Sequence, residues 1–341
     1  WRDIEGNVIN AHGGGILFHQ GIYYWFGEHR PESGFVTEKG VNCYSSVDLC
    51  KWKPEGIVLA VSGEEGADIE QGCIMERPKV IYNEKTGKFV MWFHLEKKGK
   101  GYSSACAAVA VSDSPTGPYR FIRSGRVNPG IYPLNMSEKE KKIKWDFSEY
   151  KEWWTPGWYN AIEKGLFVRR DLEGGQMSRD MTLFVDDDGK AYHIYSSKDN
   201  LTLQIAELSV DYLGHTGRYI RIFPGGHNEA PAIFKKDGTY WMITSGCTGW
   251  ESNKARLLTA TSILGEWKQL PNPCVGEKAD KTFGGQGTYI LPLQGKEDRF
   301  VFMADSWRPE SLSDSRYIWL PIQFNEKGIP FIEWIDRWKP Y

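Results

Sequence analysis

Five stretches of the chain share one pattern of hydrophobic and polar positions. Each has a short apolar run, a turn rich in Gly, Asp or Lys, and a second run rich in aromatic residues. This pattern predicts β-hairpins, and Asp188-Gly189 and Asp237-Gly238 are favourable hairpin turns. The five stretches are HGGGILFHQGIYYWFGE (12–28), ERPKVIYNEKTGKFVMWFH (76–94), DMTLFVDDDGKAYHIYSS (180–197), EAPAIFKKDGTYWMITSG (229–246) and QGTYILPLQGKEDRFVFMAD (286–305).

A second unit of two short strands follows each hairpin. These units are VNCYSSVDLCKW, ACAAVAVSDSPTGPYRF, LQIAELSVDYLGHTGRY, ARLLTATSILGEWKQL and SRYIWLPIQFNEKGIPF. Four strands in each of five repeats predict an all-β fold, a five-bladed β-propeller with four-stranded antiparallel blades. A two-sheet sandwich is the structural alternative, but it would not produce a fivefold repeat. A doubly wound α/β fold is disfavoured because amphipathic helices are nearly absent.

The spacing of the repeats locates an insertion. The leading residues of successive hairpins are 64, 104, 49 and 57 positions apart. The long interval predicts an insertion at about 125–165, which carries the charged stretch SEKEKKIK and the aromatic cluster EWWTPGWYN. We treat residues 1–341 as a single propeller domain interrupted by this insertion.

Composition and charge exclude some classes of binding partner. The 341 residues are 40% hydrophobic with 15 Trp, enough for a large core, and the net charge is −2. A near-neutral chain has no electrostatic footprint for nucleic acid, and no apolar run reaches the length of a membrane span. The chain opens on Trp1 without a Met, so we expect a removed leader and a secreted or periplasmic location.

The cysteines do not predict a metal site. None of the six forms a CxxC pair, which argues against zinc. The spacing of Cys43 and Cys50 would allow a disulfide, and free buried thiols are the alternative.

The repeats place one polar residue in the same register just before each leading strand. These residues are His12, Glu76, Asp180, Glu229 and Gln286. The first strand of each propeller blade lines the central channel, so we expect the five side chains to converge on one axial pocket, which would be the active site. The alternative is that each side chain simply ends a strand in solvent.

Three carboxylates in one pocket indicate acid–base chemistry. Like charges and partial burial raise at least one carboxyl pKa. A carboxylic acid that stays protonated near neutral pH is what a glycosidase needs to protonate the leaving oxygen. The abundant Trp residues suit the apolar faces of sugar rings, although any of them could instead pack in the core. The candidates for an aromatic wall are Trp153, Trp154, Trp158, Trp250 and Trp307.

Together these segments resemble glycoside hydrolase family 43, five-bladed propeller enzymes that act on plant polysaccharides. Within it, the chain is similar to the exo-β-1,3-galactanase branch, also called galactan 1,3-β-galactosidases. The likeness rests on NAHGGGILFHQGIYYWFGE, ERPKVIYN, RDMTLFVDDDGKAY, HNEAPAIFKKDGTYWMITSGCTGW, GGQGTYIL and LSDSRYIWLP. It implies an inverting exo-glycoside hydrolase that releases galactose from β-1,3-galactan or a related arabinogalactan. We expect the protein to be a monomer.

The resemblance also implies residue roles. Glu229 matches the general acid, and Asp180 matches the carboxylate that holds the sugar and tunes the acid. Glu28 and Glu76 match galactose-binding carboxylates. Further sugar contacts are implied for Tyr102, Asn200 and Thr248.

The chain departs from the wider family where a general base is expected. Most members carry an Asp in the first blade, where this chain has His12-Gly13. In the galactanase branch that role is thought to fall to a Gln acting as an imidic acid, which implies Gln286. Glu76 or Glu28 could hold the water instead. His12 is another candidate base, or a hydrogen-bonded structural residue.

A cation and a metal ion are the remaining expectations for the pocket. Arg316 is expected to reach the pocket floor and keep carboxylates ionised, with a salt bridge at the rim as the alternative. No cofactor is expected, and a structural calcium ion is left open. The stretch VDDDGK is read as a hairpin turn and not as a calcium loop.

Three other functions remain open. Another family 43-type glycosidase, an arabinofuranosidase or a β-xylosidase, is disfavoured by the missing Asp of the first blade. A non-catalytic galactan-binding propeller is favoured by the weak base and opposed by the intact acid. A protein-interaction propeller does not need carboxylates on its axis.

Overall fold

A computed structural model describes residues 1–296 and 298–340. The strands form five sheets, one for each predicted repeat, which confirms the five-bladed propeller. Blade 1 consists of β1 (His12–His19), β2 (Ile22–Glu28), β3 (Gly40–Ser46) and β4 (Lys53–Ala60). Blade 2 consists of β5 (Ile74–Asn83), β6 (Lys88–Glu96), β7 (Cys106–Ser112) and β8 (Arg120–Gly125).

Blades 3 and 4 repeat this antiparallel order. Blade 3 consists of β9 (Met181–Val185), β10 (Ala191–Ser197), β11 (Thr202–Leu208) and β12 (His215–Ile222). Blade 4 consists of β13 (Glu229–Lys236), β14 (Thr239–Ser245), β15 (Arg256–Ala260) and β16 (Lys268–Leu270).

Blade 5 has one strand more than predicted. The short β17 (Cys274–Val275) pairs in parallel with the outermost strand of the blade. The other strands are β18 (Gln286–Pro292), β19 (Phe300–Ser306), β20 (Arg316–Phe324) and β21 (Pro330–Glu333).

The first strands of the five blades surround the axis. Strand β1 contacts β5, β5 contacts β9, β9 contacts β13, β13 contacts β18, and β18 returns to β1. The residues that begin these strands therefore meet at one end of the axis, as the aligned column predicted.

Hydrophobic packing between neighbouring blades holds the ring. Five clusters of buried side chains fill the five spaces between adjacent blades. Burial of this apolar surface is the main favourable term for the fold. Between blades 5 and 1 the cluster is aromatic, with the rings of Trp25 and Trp319 5.0 Å apart. Hydrogen bonds add to this contact: the Tyr317 hydroxyl accepts from the Ala11 amide and donates to the Ile9 carbonyl.

The insertion occupies the connection from β8 to β9, residues 126–180. It contains α1 (Glu138–Lys141), a 3₁₀ turn (Phe147–Tyr150), α2 (Pro156–Glu163) and α3 (Leu166–Arg170). The structured segment thus runs past the predicted end near residue 165. Its buried side chains, including Trp158 and Phe167, pack against Leu201 of blade 3.

Two further expectations concern the whole chain. The six cysteines are all free, so Cys43 and Cys50 are not bridged. Among the described residues, the helices are too short and too polar to cross a bilayer.

Candidate active site

Each blade presents two side chains at the same end of the axis, one from each of its first two strands. His12 pairs with Glu28 in blade 1, and Glu76 pairs with His94 in blade 2. Blades 4 and 5 follow the same rule, since Glu229 pairs with Ser245 and Gln286 with Asp305. Asp180 lies just before β9, and its carbonyl accepts from the Ser196 amide at 2.9 Å. The pocket therefore draws on two columns of residues. Those that line it are Glu76, Asp180, Glu229 and Gln286 from the first strands or just before them, and Glu28 and His94 from the second strands.

A β-bulge follows the leading residue in several blades. The strand register shifts between Glu76 and Lys79 and between Glu229 and Ala232. Arg77 and Ala230, next to the two acids, have φ of +56° and +51°. A non-glycine residue pays about 1 kcal/mol for this left-handed conformation. Bulges re-aim side chains, and here the kink lets Arg77 face the axis beside Glu76.

The axial end holds a cavity of about 340 Å³. It contains the three predicted catalytic residues and six of the nine predicted binding residues. The lining side chains from these predictions are Glu28, Glu76, Tyr102, Asp180, Asn200, Glu229, Trp250, Gln286 and Trp307. Lining residues that were not predicted are Arg30, Phe35, Arg77, His94, Arg179 and Gly249.

Glu229 has the electrostatics of a general acid. Burial and the neighbouring charge of Asp180 raise its pKa to about 7, against the opposing charge of Arg77. The Asn200 side-chain amide donates to Oε1 of Glu229 at 2.6 Å. A carboxyl with this pKa is protonated in a large fraction of molecules at neutral pH.

Asp180 is fixed next to Glu229. Its Oδ2 accepts from the backbone amide of Ala230, the residue after the acid, at 3.1 Å. The same oxygen pairs with Nη2 of Arg77 at 2.9 Å. Asp180 therefore stays close enough to disfavour ionisation of Glu229 while its own charge is compensated.

Arg77 connects four blades. Its guanidinium pairs with Asp180 of the segment entering blade 3 and donates to Gln286 Oε1 at 2.6 Å in blade 5. Its backbone amide donates to Oε1 of Glu28 in blade 1 at 2.8 Å. The prediction that Arg316 supplies the pocket cation is therefore wrong. Arg316 is 39% exposed and pairs at 2.5 Å with Asp314, because it begins the third strand of its blade, away from the axis.

Gln286 is held as an ordinary amide. Its Oε1 accepts from Arg77 and from Nε1 of Trp307, the latter at 3.0 Å. Arginine and the indole are obligate donors, so they fix which end of the side chain is the oxygen. The amide nitrogen donates to Ser245 Oγ at 3.0 Å and approaches Glu229 Oε2 at 3.4 Å. In this arrangement an imidic acid would direct its hydroxyl proton at two donors.

Glu28 fills the space where a first-blade Asp would stand. A Cβ added to Gly13 would clash with Oε1 of Glu28, and Gly13 has a φ of +58°. The departure at His12-Gly13 is thus matched by a carboxylate delivered from the neighbouring strand β2. Burial raises the pKa of Glu28 to about 7, although Arg30 opposes the shift with an ion pair of 2.5 Å.

Glu76 belongs to a buried ion-pair cluster. Burial alone would raise its pKa, but His94 and Arg30 outweigh that effect and hold the pKa well below its usual range. In turn Glu76 and Glu96 raise the pKa of His94 to about 9, against the effect of burial. The Tyr102 hydroxyl donates to Glu76 Oε1 at 3.0 Å. Glu76 is therefore a fixed negative charge.

The carboxylates fit a metal ion poorly. Glu76, His94 and Asp180 offer ligand atoms within 4.8 Å of one another. However, Arg30 pairs with Glu76 at 2.9 Å and Arg77 pairs with Asp180 at the same distance. Two guanidinium charges at the ligand atoms already compensate the carboxylates and would repel a divalent cation.

Two of the predicted aromatic residues form a wall. The rings of Trp250 and Trp307 lie 5.3 Å apart in an edge-to-face arrangement, and both line the cavity. The insertion does not contribute to this wall, which corrects the expectation for its three tryptophans. Trp158 is buried in the insertion's own core, and Trp153 and Trp154 stack against it outside the cavity.

Besides Arg316, two predicted binding residues lie outside the cavity. His12 is fully buried, stacks on Tyr317 with 5.0 Å between ring centroids, and lies 3.4 Å from Asp305, so it has the structural role left open above. Thr248 donates to the carbonyl of Glu251 at 2.6 Å and faces a second cavity. Because the chain turns at Gly249, Trp250 reaches the axial cavity and Thr248 does not.

The comparisons with known proteins agree with this geometry. The model of the Glycosyl hydrolases family 43 matches residues 152–330, just over half of the chain. A solved family 43 β-1,3-galactosidase with bound galactodeoxynojirimycin is 80% identical, with 99% of this chain and 98% of that chain covered and a TM-score of 0.98.

More distant relatives are also similar. An exo-β-1,3-galactanase from Clostridium thermocellum is 35% identical, with 97% and 63% of the two chains covered and a TM-score of 0.79. The chain thus spans just under two thirds of that protein. A β-D-galactofuranosidase from Aspergillus niger is 26% identical over 158 residues, which are 45% of each chain. The match spans less than half of this curated relative.

The fold, the axial carboxylates and the family match over half of the chain lead to one assignment, and the predicted resemblance is confirmed: the chain belongs to glycosyl hydrolase family 43.

Proposed function

We propose that the chain is an inverting exo-glycoside hydrolase that releases galactose from the end of β-1,3-galactan or a related arabinogalactan. The observation that carries this proposal is the axial cavity, where Glu229, with a pKa of about 7, lies beside Asp180 among fixed carboxylates. A cavity of about 340 Å³ is at the small end of ligand sites, which suits a terminal sugar. The likeness to a β-1,3-galactosidase and to exo-β-1,3-galactanases supports galactose as the sugar and β-1,3 as the linkage.

The pocket offers matched partners for a sugar. Glu28, Glu76 and Asp180 can accept hydrogen bonds from hydroxyl groups of the sugar, and the buried Oδ1 of Asn200 has no partner among the residues that the structure describes. Trp250 and Trp307 provide apolar surface for the ring. Glu229 donates its proton to the glycosidic oxygen. The partial burial of the site excludes water and strengthens the electrostatic interactions within it. No cofactor is needed in this scheme.

The water must attack from the face opposite Glu229. We assign its positioning to Gln286, with Glu28 as the alternative. In the described arrangement Gln286 contacts Glu229 directly, so substrate must separate the two side chains. Oε1 can accept from water once it gives up its contact with Arg77 or Trp307.

Product analysis tests the proposed function. The enzyme is incubated with β-1,3-galactan, and the released sugar is followed by NMR. Initial release of α-galactose supports inversion from the chain end. Initial β-galactose contradicts inversion, and turnover of arabinosides or xylosides without turnover of β-1,3-galactobiose contradicts the substrate.

A water-positioning role for Gln286 predicts rescue by azide. Gln286→Ala should lower kcat on β-1,3-galactobiose by about 10²-fold. Azide is nucleophilic without losing a proton, so it should restore turnover and give α-galactosyl azide. The rate and the product are measured with and without azide.

The matched variant is Glu28→Gln. It should raise KM because a binding carboxylate is lost, and azide should not restore its rate. If azide restored the rate of Glu28→Gln and not that of Gln286→Ala, the water-positioning role would belong to Glu28.

The pKa of Glu229 sets the basic limb of the activity. The acid works only when it is protonated, and the protonated fraction falls as pH rises through about 7. We therefore expect kcat/KM on β-1,3-galactobiose to fall above about pH 7, approaching tenfold per pH unit. An aryl galactoside with a good leaving group should show a weaker decline, since it needs less protonation. A flat profile up to pH 9 would contradict this role.

We also propose that the enzyme works outside the cytoplasm, where its polymeric substrate is found. Detection of the protein in the secreted or periplasmic fraction tests this location.

A further inference from the structure

The turn that carries Asn200 has an unfavourable backbone. Lys198, Asp199 and Asn200 have φ of +56°, +57° and +63°, three consecutive left-handed residues without a glycine. Each L-residue disfavours this conformation, and a run of three is rare. Such backbone persists when surrounding contacts hold it in place.

The insertion supplies those contacts. Lys198 is 1% exposed, and its Nζ lies 3.3 Å from Oδ2 of Asp171. Arg170, the last residue of α3, donates to Asp199 Oδ2 at 3.0 Å, and its other nitrogens hold Asp171. Thus residues 170 and 171 of the insertion grip two successive residues of the turn.

Apolar packing and a second arginine complete the grip. Leu201 is fully buried in the hydrophobic cluster of α2 and α3. Arg179 pairs with Asp199 at 3.4 Å and donates to the Tyr102 carbonyl at 2.8 Å. Residues on both sides of Asn200 are therefore fixed by residues 126–180, while the Asn200 amide reaches Glu229 at 2.6 Å.

We propose that the insertion is a positioning device for the general acid: Arg170 and Asp171 hold the 198–201 turn so that Asn200 keeps Glu229 in place. The proposal rests on the proposed function of Glu229. It assigns a role to the insertion that differs from the predicted sugar-binding wall. Arg170 and Asp171 do not line the cavity and are positioning residues.

The test variant is Arg170→Gln, and its control is Arg169→Gln. Both remove one positive charge from α3, but Arg169 is exposed and bonds only to the Tyr132 hydroxyl among the hydrogen bonds of its side chain described here. Arg170→Gln should lower kcat on β-1,3-galactobiose about tenfold. It should leave kcat on 2,4-dinitrophenyl β-galactoside close to that of wild type, because that leaving group needs little protonation. Arg169→Gln should match wild type on both substrates.

The pH profile gives a second readout. Glu229 is faced by Asp180, Arg77, Arg179, Cys247 and the amides of Asn200 and Gln286. The Asn200 donor favours the ionised acid, so loosening it moves the basic limb of kcat/KM to higher pH. A variant that was only destabilised would lose activity on both substrates, and the basic limb of its kcat/KM profile would stay at the wild-type pH.

A double-mutant cycle links the insertion to Asn200. If Arg170 acts through Asn200, adding Arg170→Gln to Asn200→Ala should lower kcat on β-1,3-galactobiose no further. The proposal would be overturned if Arg170→Gln lowered kcat equally in the wild-type and Asn200→Ala backgrounds. It would also be overturned if Arg170→Gln kept the wild-type ratio of kcat on the two substrates. Failure of the wild-type enzyme on both galactosides would instead refute the proposed function, so the two failures are distinguishable.

Discussion

Glu229→Gln should lose about 10³-fold in kcat on β-1,3-galactobiose while still binding galactose. The amide keeps the shape of the side chain and its contact with Asn200, but it has no proton to give to the glycosidic oxygen. The rate on 2,4-dinitrophenyl β-galactoside should fall far less, since its leaving group departs without protonation. Initial rates on both substrates and calorimetry with galactose measure these effects.

The control for this substitution is Glu266→Gln. Glu266 is an exposed carboxylate in the connection from β15 to β16, and it does not line the axial cavity. It should have wild-type rates on both substrates. Full activity of Glu229→Gln on β-1,3-galactobiose would remove Glu229 from the mechanism.

Arg77→Ala should cost both activity and stability. Arg77 is 5% exposed, and its removal leaves Asp180 without its ion pair and takes away one of the two donors to Gln286 Oε1. Breaking a buried pair in this way destabilises a protein by about 3–5 kcal/mol. The free energy of unfolding from denaturant titration should fall by that amount, and kcat/KM should fall with it. Arg77→Lys should recover part of the stability, because an ammonium restores the charge but not the fork that reaches two blades.

Arg316→Ala is the matched control, since it deletes an arginine of the same fold at the surface. Its pairing with Asp314 is solvent-exposed, so the change should be about 1 kcal/mol or less. If Arg77→Ala unfolded no more easily than Arg316→Ala, the central role of Arg77 would be wrong.

The repeats made the fold and the first column of the pocket predictable. Hairpin spacing gave the blade number, and the register placed Asp180, Glu229 and Gln286 on one axis. Arg77 was missed for a physical reason. Neighbouring residues of a regular strand point to opposite faces, so a residue next to Glu76 was not expected in the pocket. The bulge with its positive φ breaks that alternation.

The second column is also predictable from the sequence. Glu28 ends β2 and His94 lies two residues before the end of β6, so aligning the last residues of the second strands points to His94. The role of Arg30 and Arg179 depends on ion pairs across loops, which spacing does not reveal. The insertion misled because three tryptophans in six residues suggested a sugar platform. In the structure Trp158 serves the insertion's own core, and the other two pack on it.

We expect the contact between blades 1 and 5 to limit thermal stability, because it joins the first and last sheets of the ring. The described strands of each blade come from one continuous part of the chain, so side chains such as Trp25, Trp319 and Tyr317 join the two ends of the ring. Gln286 begins β18 of blade 5 and accepts a hydrogen bond from Arg77 of blade 2, so its position depends on the ring staying closed. A slight parting of the two blades would dismantle catalysis while every sheet stayed intact. Durability in an engineered variant would therefore come from a cross-link between these blades and not from stronger hairpins.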